Sequence, residues 1–324
     1  MPDLRKNEKH KILLDAMHKS SHIKGMNKLP LVKRVQILSL LCEGSSMRSV
    51  SRVCDVSINT VSKLLDEAGR AALAFHDEHV RGLQSQRIQC DEIWSFVYAK
   101  NKNVVDAKAP PKGAGDVWTW TALDADSKLI CGWTVGQRDA YWAAAFMDDL
   151  KERLANRVQL TTDGHKAYLT AVEQVFGNTD IDFAQLVKMY GEVPGGSGPE
   201  RKYSPPACIG IKKKPIAGNP EAKHISTSFV ERQNLTMRMS MKRFSRLSNA
   251  FSKKLANHRH ALSLYFYFYN WCRIHKTLRV SPAMAAGLTD KLLSFENLIA
   301  IMDATAPKPG RPKTYKKRPA EISN

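Results

Sequence analysis

The chain has 324 residues, 43% of them hydrophobic and 25% charged, and 50 lysines and arginines face 31 aspartates and glutamates for a formal charge of +19. That length suits two or three compact units, and the positive excess, carried by residues 1–90 and 191–280 around a net acidic middle, marks a polyanion-binding surface. Residues 1–30 hold no apolar leader, and the most apolar run, 261–272, is too short and too aromatic to span a bilayer, so membrane and secreted classes are set aside. Cys42, Cys54, Cys90, Cys131, Cys208 and Cys272 show neither Cys-x-x-Cys nor zinc spacing and are read as reduced thiols of a cytoplasmic protein.

Residues 1–29 form a basic lead-in. From Leu31 to Cys42 the apolar positions Leu31, Val35, Ile37, Leu38 and Leu41 recur at near-helical spacing, until Gly44-Ser45-Ser46 interrupts them. Two short helices are predicted next, over 47–54 and 58–68, joined through Asp55-Val56-Ser57. Val50, Val56, Val61 and Leu64 would face inward, Ser57 would cap the second helix, and Asp55 would take the left-handed turn position. This pattern makes residues 30–75 a helix-turn-helix unit, with Asn59, Thr60 and Lys63 turned toward the major groove of double-stranded DNA. A small three-helix unit for partner contact is the alternative.

Strands and helices then alternate. Strands are predicted over 87–100, 117–123 and 129–135, with Asp124-Ala125-Asp126-Ser127 as the hairpin between the last two. A helix over 140–154, a strand over 158–162, a helix over 166–176 and a strand near 183–189 complete the order of an RNase H-like mixed α/β sheet with flanking helices. Residues 191–225, rich in glycine, proline and lysine, are expected to be irregular. Helices are predicted over 228–245 and 249–273, and the aromatic run 265–271 reads as core at its helical spacing. The tail 304–324 is basic and expected to be disordered. Its segment 307–313 looks like a minor-groove hook with Arg311 along A·T edges, or else a solvated basic tail.

Three acidic residues stand out. Asp91 interrupts the apolar alternation Arg-Ile-Gln-Cys-Asp-Glu-Ile-Trp, and a carboxylate in a central strand is costly unless paired or metal-bound; an edge strand with solvated acids is the alternative. Alternation puts Gln89, Asp91 and Ile93 on one face and Glu92 on the other, which favours Asp91 over Glu92 as a ligand. Asp163 ends a strand before Gly164, where ligand sites of α/β sheets gather, although Asp-Gly turns are common. Glu231 sits near the start of a helix, with Asn234, Arg238 and Lys242 in the same arc; a Ser228–Glu231 capping box is the competing account. Together the three suit two Mg²⁺ ions, or Mn²⁺ in their place, held about 3.5–4 Å apart for in-line phosphoryl displacement, with Arg238 and Lys242 on neighbouring phosphates. His258, His260 and His275 are read as solvated or hydrogen-bonded side chains rather than ligands.

Several stretches are similar to a known family: Cys-Asp91-Glu-Ile-Trp-Ser-Phe, Thr-Thr-Asp163-Gly-His-Lys-Ala-Tyr, Tyr-Ser-Pro-Pro-Ala-Cys at 203–208, Ser-Phe-Val-Glu231-Arg-Gln-Asn-Leu-Thr-Met-Arg, and Tyr269-Asn-Trp-Cys-Arg-Ile-His-Lys-Thr-Leu278. Over residues 85–287 the chain resembles the DDE-type transposases of bacterial insertion sequences, above all the first-numbered insertion-sequence family. The resemblance implies a retroviral-integrase-like catalytic domain over 85–287 with an insertion at 191–225. It further implies Asp91, Asp163 and Glu231 as the metal-binding triad, and Arg238 as a basic residue on the glutamate's helix. Such an enzyme would cut and join DNA at inverted-repeat ends and act as a dimer or larger homo-oligomer. The N-terminal zinc module frequent in relatives is missing, and the Asp163–Glu231 separation is long. A DNA-binding regulator with a degenerate core, or a nuclease of the same fold, are the competing functions.

Overall fold

The computed structural model describes residues 28–177, 179–191, 208–245 and 248–306. Arg311, the lead-in up to residue 27 and the segment 192–207 lie outside the described residues. Helices α1 (Leu31–Cys42), α2 (Met47–Val53) and α3 (Ile58–His79) come first. Ser46 Oγ accepts from the Ser49 N–H and Ser57 Oγ from the Thr60 N–H, each at 3.1 Å, which satisfies a first-turn donor that the helices cannot satisfy themselves. Asp55 takes a positive φ of 48°, as the turn between α2 and α3 requires. Val50, Val61 and Leu64 are buried beneath it.

α3 runs eleven residues past its expected end, because its second half is apolar on one face and packs against α7 (Leu255–Tyr267). The helices touch closely at Gly69, where a Cβ would stand 2.4 Å from that of His260. The last described helix, α8 (Phe295–Thr305), folds back on α1 and α3, and Arg34 forks onto the two Asp303 oxygens at 2.7 and 2.9 Å. One apolar cluster therefore runs from Ile37 through the sheet to Met302; the N-terminal helices share their core with the α/β unit.

The sheet has six strands in the order β3-β2-β1-β4-β5-β6: β1 (Arg87–Val97), β2 (Gly115–Asp124), β3 (Ile130–Gly136), β4 (Gln159–Asp163), β5 (Asp182–Tyr190) and β6 (Cys208–Ala217). β1, β2 and β3 form an antiparallel meander, β4 and β5 run parallel to β1, and β6 returns antiparallel. This is the RNase H-like order expected from the sequence. β6 corrects the expectation of an irregular 191–225: a Pro- and Lys-rich segment with both faces exposed carries no burial alternation, yet its backbone pairs with β5.

Helices α4 (Ala140–Arg153) and α5 (Ala167–Phe176) cover one face, where Trp120 meets Phe146 and Tyr168. α6 (Ser228–Ser240) and α7 cover the other, where Trp133 meets Phe266. α6 is five residues shorter than expected, stopping at Ser240 before a 3₁₀ turn over Lys242–Phe244. After α7 the chain passes into a π-helical turn, Phe268–Cys272. The aromatic run is core, as its spacing implied, with Tyr265, Phe266, Tyr267, Tyr269 and Trp271 all buried. Within that turn Asn270 is fully buried and clamps the start of β3, accepting from the Ile130 N–H and donating to the Ile130 carbonyl, both at 3.0 Å. Asn270→Ala would strand two buried backbone groups; we expect a loss of roughly 2–4 kcal/mol in urea unfolding, with little change in the overall circular dichroism spectrum.

Candidate active site

The parallel ladder between β1 and β4 ends at Cys90 and Thr162. Asp91 and Asp163 are the next residue on each strand, so the two carboxylates stand side by side where the sheet opens. Glu92 follows Asp91 and joins them: one carboxylate oxygen from each of Asp91, Glu92 and Asp163 lies within 4.8 Å of the others. The sequence reading set Glu92 aside for facing the opposite side; it does face that way along the strand, yet its carboxylate comes within the cluster. The backbone does alternate, with Asp91 toward α6 and Glu92 toward α5. Past the end of the ladder no strand separates the two sides, so a glutamate reaches round.

Each acid is held differently. Asp91 Oδ1 accepts from the Glu92 N–H at 2.9 Å and Oδ2 from Asn234 Nδ2 at 2.8 Å. Asp163 Oδ1 accepts from the His165 N–H at 2.9 Å. Arg138, packed over the Trp118 ring, donates to Glu92 Oε2 at 3.0 Å and Asp163 Oδ2 at 3.2 Å. Burial, then the Asp163 charge, pushes Asp91 up to about 6 despite the Glu92 N–H, with Glu231 adding to the rise. Burial and the same Asp163 charge lift Glu92 to about 7, against the pull of the Tyr168 hydroxyl and Arg138. Burial and then Arg138 lower His165.

Unsatisfied polar atoms gather at the same place. Asn234 Oδ1 and the hydroxyl of Thr121, which lies directly across the strand from Asp91, are buried without a hydrogen-bond partner. Buried acceptors without partners cost free energy. Three clustered carboxylates, raised pKa values and spare hard oxygen acceptors are together what a divalent cation would satisfy. The residues present fit such an ion, with Asp91, Glu92 and Asp163 as its carboxylate ligands.

Glu231 stands next to this group rather than within it. Its carboxylate pairs with Lys188 of β5 and accepts from the Thr227 hydroxyl at 2.6 Å. The helix cap is Thr227 and Glu231 does not bond back to a cap N–H, so the capping-box alternative is not the arrangement adopted. Two side chains dock α6 onto β1: Asn234, on Asp91, and Gln89, whose Oε1 accepts from the Phe229 and Val230 N–H groups at 2.9 and 3.2 Å. Gln89 was missed as a site residue. Its one sequence signal, a polar side chain on the same strand face as Asp91, is weak.

The remaining candidates separate. Arg238 is exposed on α6. Asn234 was expected to face DNA; it is instead buried against Asp91, because its position on α6 points into the sheet. Lys242 was expected on the same helical stripe, but α6 ends before it and it is exposed on the 3₁₀ turn. Asn59 and Lys63 are exposed on the first turns of α3, with Lys63 3.9 Å from Glu67, and Thr60 is half-buried beside the Ser57 hydroxyl. His258 is buried between the Ser95 and Ser252 hydroxyls at 3.2 Å each, His260 meets Asp66 and His275 meets Thr277, none of them among the clustered carboxylates.

No protein-family profile matches the chain, and no curated protein matches it. Among solved structures, a Mos1 transposase paired-end complex with left transposon end aligns at 12% identity, over 56% of this chain and 67% of that one, with a TM-score of 0.23. A Mos1 strand transfer complex aligns at 12% over 82% and 85%, with a TM-score of 0.23. A piggyBac transposase synaptic complex with hairpin DNA aligns at 9% over 92% and 79%, with a TM-score of 0.35. Superpositions this loose transfer neither residue roles nor activity. Among the described residues no helix is long and apolar enough to cross a membrane.

The raised pKa of Glu92 gives a test of how the metal-free site bears on stability. Its native carboxyl holds a proton up to about pH 7, against an ordinary value of 4.5. The native state therefore binds more protons than the unfolded chain between these limits, and stability falls as pH rises through that window. Glu92→Gln should raise the thermal midpoint of the metal-free protein at pH 8, with the advantage gone by pH 4.5, in scanning calorimetry.

Proposed function

We propose that this chain is a DNA transposase that binds the inverted-repeat ends of a mobile element and catalyses divalent-metal-dependent strand cleavage and strand transfer. The observation that carries the proposal is the convergence of Asp91, Glu92 and Asp163 at the open end of the β1–β4 ladder, with Glu231 beside them on a helix docked through Gln89 and Asn234. The motif resemblance of residues 85–287 to insertion-sequence transposases supports the same function. A bound magnesium ion supplies concentrated positive charge against the phosphoryl oxygens of an in-line displacement. Asp91, Glu92 and Asp163 would hold it, with Glu231 available to a second ion.

The other residues bind and orient. Arg138 spans Glu92 and Asp163 and keeps the carboxylates from splaying apart under their mutual repulsion. Asn234 fixes Asp91, and exposed Arg238 would contact a phosphate beside the reacting one. Water is the nucleophile for cleavage and the freed 3′-hydroxyl for joining. Asn59, Thr60 and Lys63 would read the element end from α3. Two ends must be held together for joining, so the active form is a dimer or larger homo-oligomer.

A Mg²⁺-dependent cleavage and joining assay on repeat-end DNA tests the chemistry. Asp91→Asn, Asp163→Asn and Glu231→Gln should each lose at least a hundredfold in both steps while still binding DNA, and Glu92→Gln should fall at least tenfold. Parent-like activity in all four variants would exclude this site, and cleavage without joining in the parent would point to a nuclease. For the N-terminal helices, Lys63→Ala should weaken binding to end DNA several-fold more than to unrelated DNA in a competition assay; equal loss on both would count against a reading helix.

A further inference from the structure

The four acids of the site fall into two sets with different counter-charges. Asp91, Glu92 and Asp163 share Arg138, which bonds two of them. Glu231 has its own cation: the ammonium of Lys188, projecting from β5 toward α6. The Asp91 carboxylate acts electrostatically on the same ammonium, so Lys188 lies within the field of both acids that would flank a second metal ion. Once a metal has displaced the protons of Asp91 and Glu92, four carboxylates against Arg138 and Lys188 leave two negative charges unbalanced, the charge of a single divalent cation. Two such ions would instead leave the site positive before any phosphate arrived. The buried, unpartnered hydroxyl of Thr121 lies directly across the strand from Asp91, in the three-carboxylate set; Glu231 has partners for both of its oxygens.

We infer that the DNA-free protein takes one divalent cation, at Asp91, Glu92 and Asp163, and that Lys188 Nζ holds the place of the second beside Glu231. The inference rests on the carboxylates being a metal site, as proposed above. Lys188 is then a positioning residue with a regulatory consequence. A DNA phosphate entering the site offers the ammonium a new partner, Glu231 is released, and the second ion is admitted. Complete metal loading becomes coupled to substrate, which keeps a fully armed site from forming without DNA. The Thr227 hydroxyl would hold Glu231 in place during the exchange.

Mn²⁺ alone is a suitable probe, titrated into the full-length, DNA-free protein by calorimetry and followed by electron paramagnetic resonance. The parent should bind one Mn²⁺ tightly, with any second event much weaker and no spin coupling between ions. Lys188→Met removes the competing charge and should tighten the second event at least about tenfold, with coupled-ion signals appearing. Lys188→Arg keeps the charge and should behave like the parent, and circular dichroism checks that both variants are folded. Two tight, coupled ions in the parent, or a Lys188→Met titration identical to the parent's, would overturn the inference while leaving the metal site standing. If neither parent nor variants bind Mn²⁺ at all, the metal reading of the carboxylates falls and takes this inference with it.

Discussion

The arrangement of the molecule around its site turns on repulsion between like charges gathered where the β1–β4 ladder stops. Burial, and then the Asp163 charge beside them, make Asp91 and Glu92 harder to ionise, as their raised pKa values express. Such a cluster persists only if something else holds it. Arg138 bridges two of the acids, Asn234 and the Glu92 N–H hold Asp91, and the His165 N–H holds Asp163. The core beneath, where Trp120 of β2 packs against Phe146 and Tyr168, keeps the sheet and its helices α4 and α5 from moving apart to relieve the strain.

From that constraint the roles of distant elements follow. α6 reaches the sheet from more than a hundred residues further along the chain, and side-chain contacts to β1 and β5 help set its height. Gln89 satisfies the first free N–H groups of the helix, and Asn234 bonds Asp91 about one turn on from Glu231. The carboxylate of Glu231 is thus positioned by groups that are neither acidic nor exposed. α7 and the π-helical turn brace the other end: Arg259 donates to the Val135 carbonyl and Asn270 clamps Ile130. β3, the outer strand of the meander, is thereby tied to the helical layer. The N-terminal helices are fastened to the same layer through the α3–α7 contact at Gly69, so α3 and the carboxylates share one continuous core.

Where the carboxylates sit also bears on the substrate. A cavity of about 510 Å³ is lined by Arg70, Trp133, Asp149 and Arg153, none of which belongs to the acid cluster. The acids instead lie at the rim of the sheet, with Asp163 about a third exposed and Arg238 and Lys242 exposed on the α6 side. An open rim flanked by cations is what the transposase proposed above would need to lay DNA across its acids.

Much of this was legible in the residues themselves. Alternation and turn chemistry marked the three-stranded meander and its Asp124 hairpin, where Asp124 Oδ1 accepts from the Asp126 N–H at 2.7 Å. Ser57 and Asp55 marked the α2–α3 turn, and the out-of-place polarity of Asp91 and the strand-end position of Asp163 marked two of the clustered acids. These are local matters of period, capping and desolvation, decided within a few residues along the chain. Side-chain period could not reveal β6, since a strand exposed on both faces has no apolar stripe. Nor could it reveal that Glu92 joins Asp91: two-residue alternation separates faces only while neighbouring strands continue, and the end of the ladder is a fact about β4. Lys188 and Gln89 gain their roles solely from the approach of α6. What residue order decided was which groups resist burial; what tertiary structure decided was which of them meet, because electrostatic repulsion, Lys188 pairing and helix docking act across space between segments with no periodicity in common.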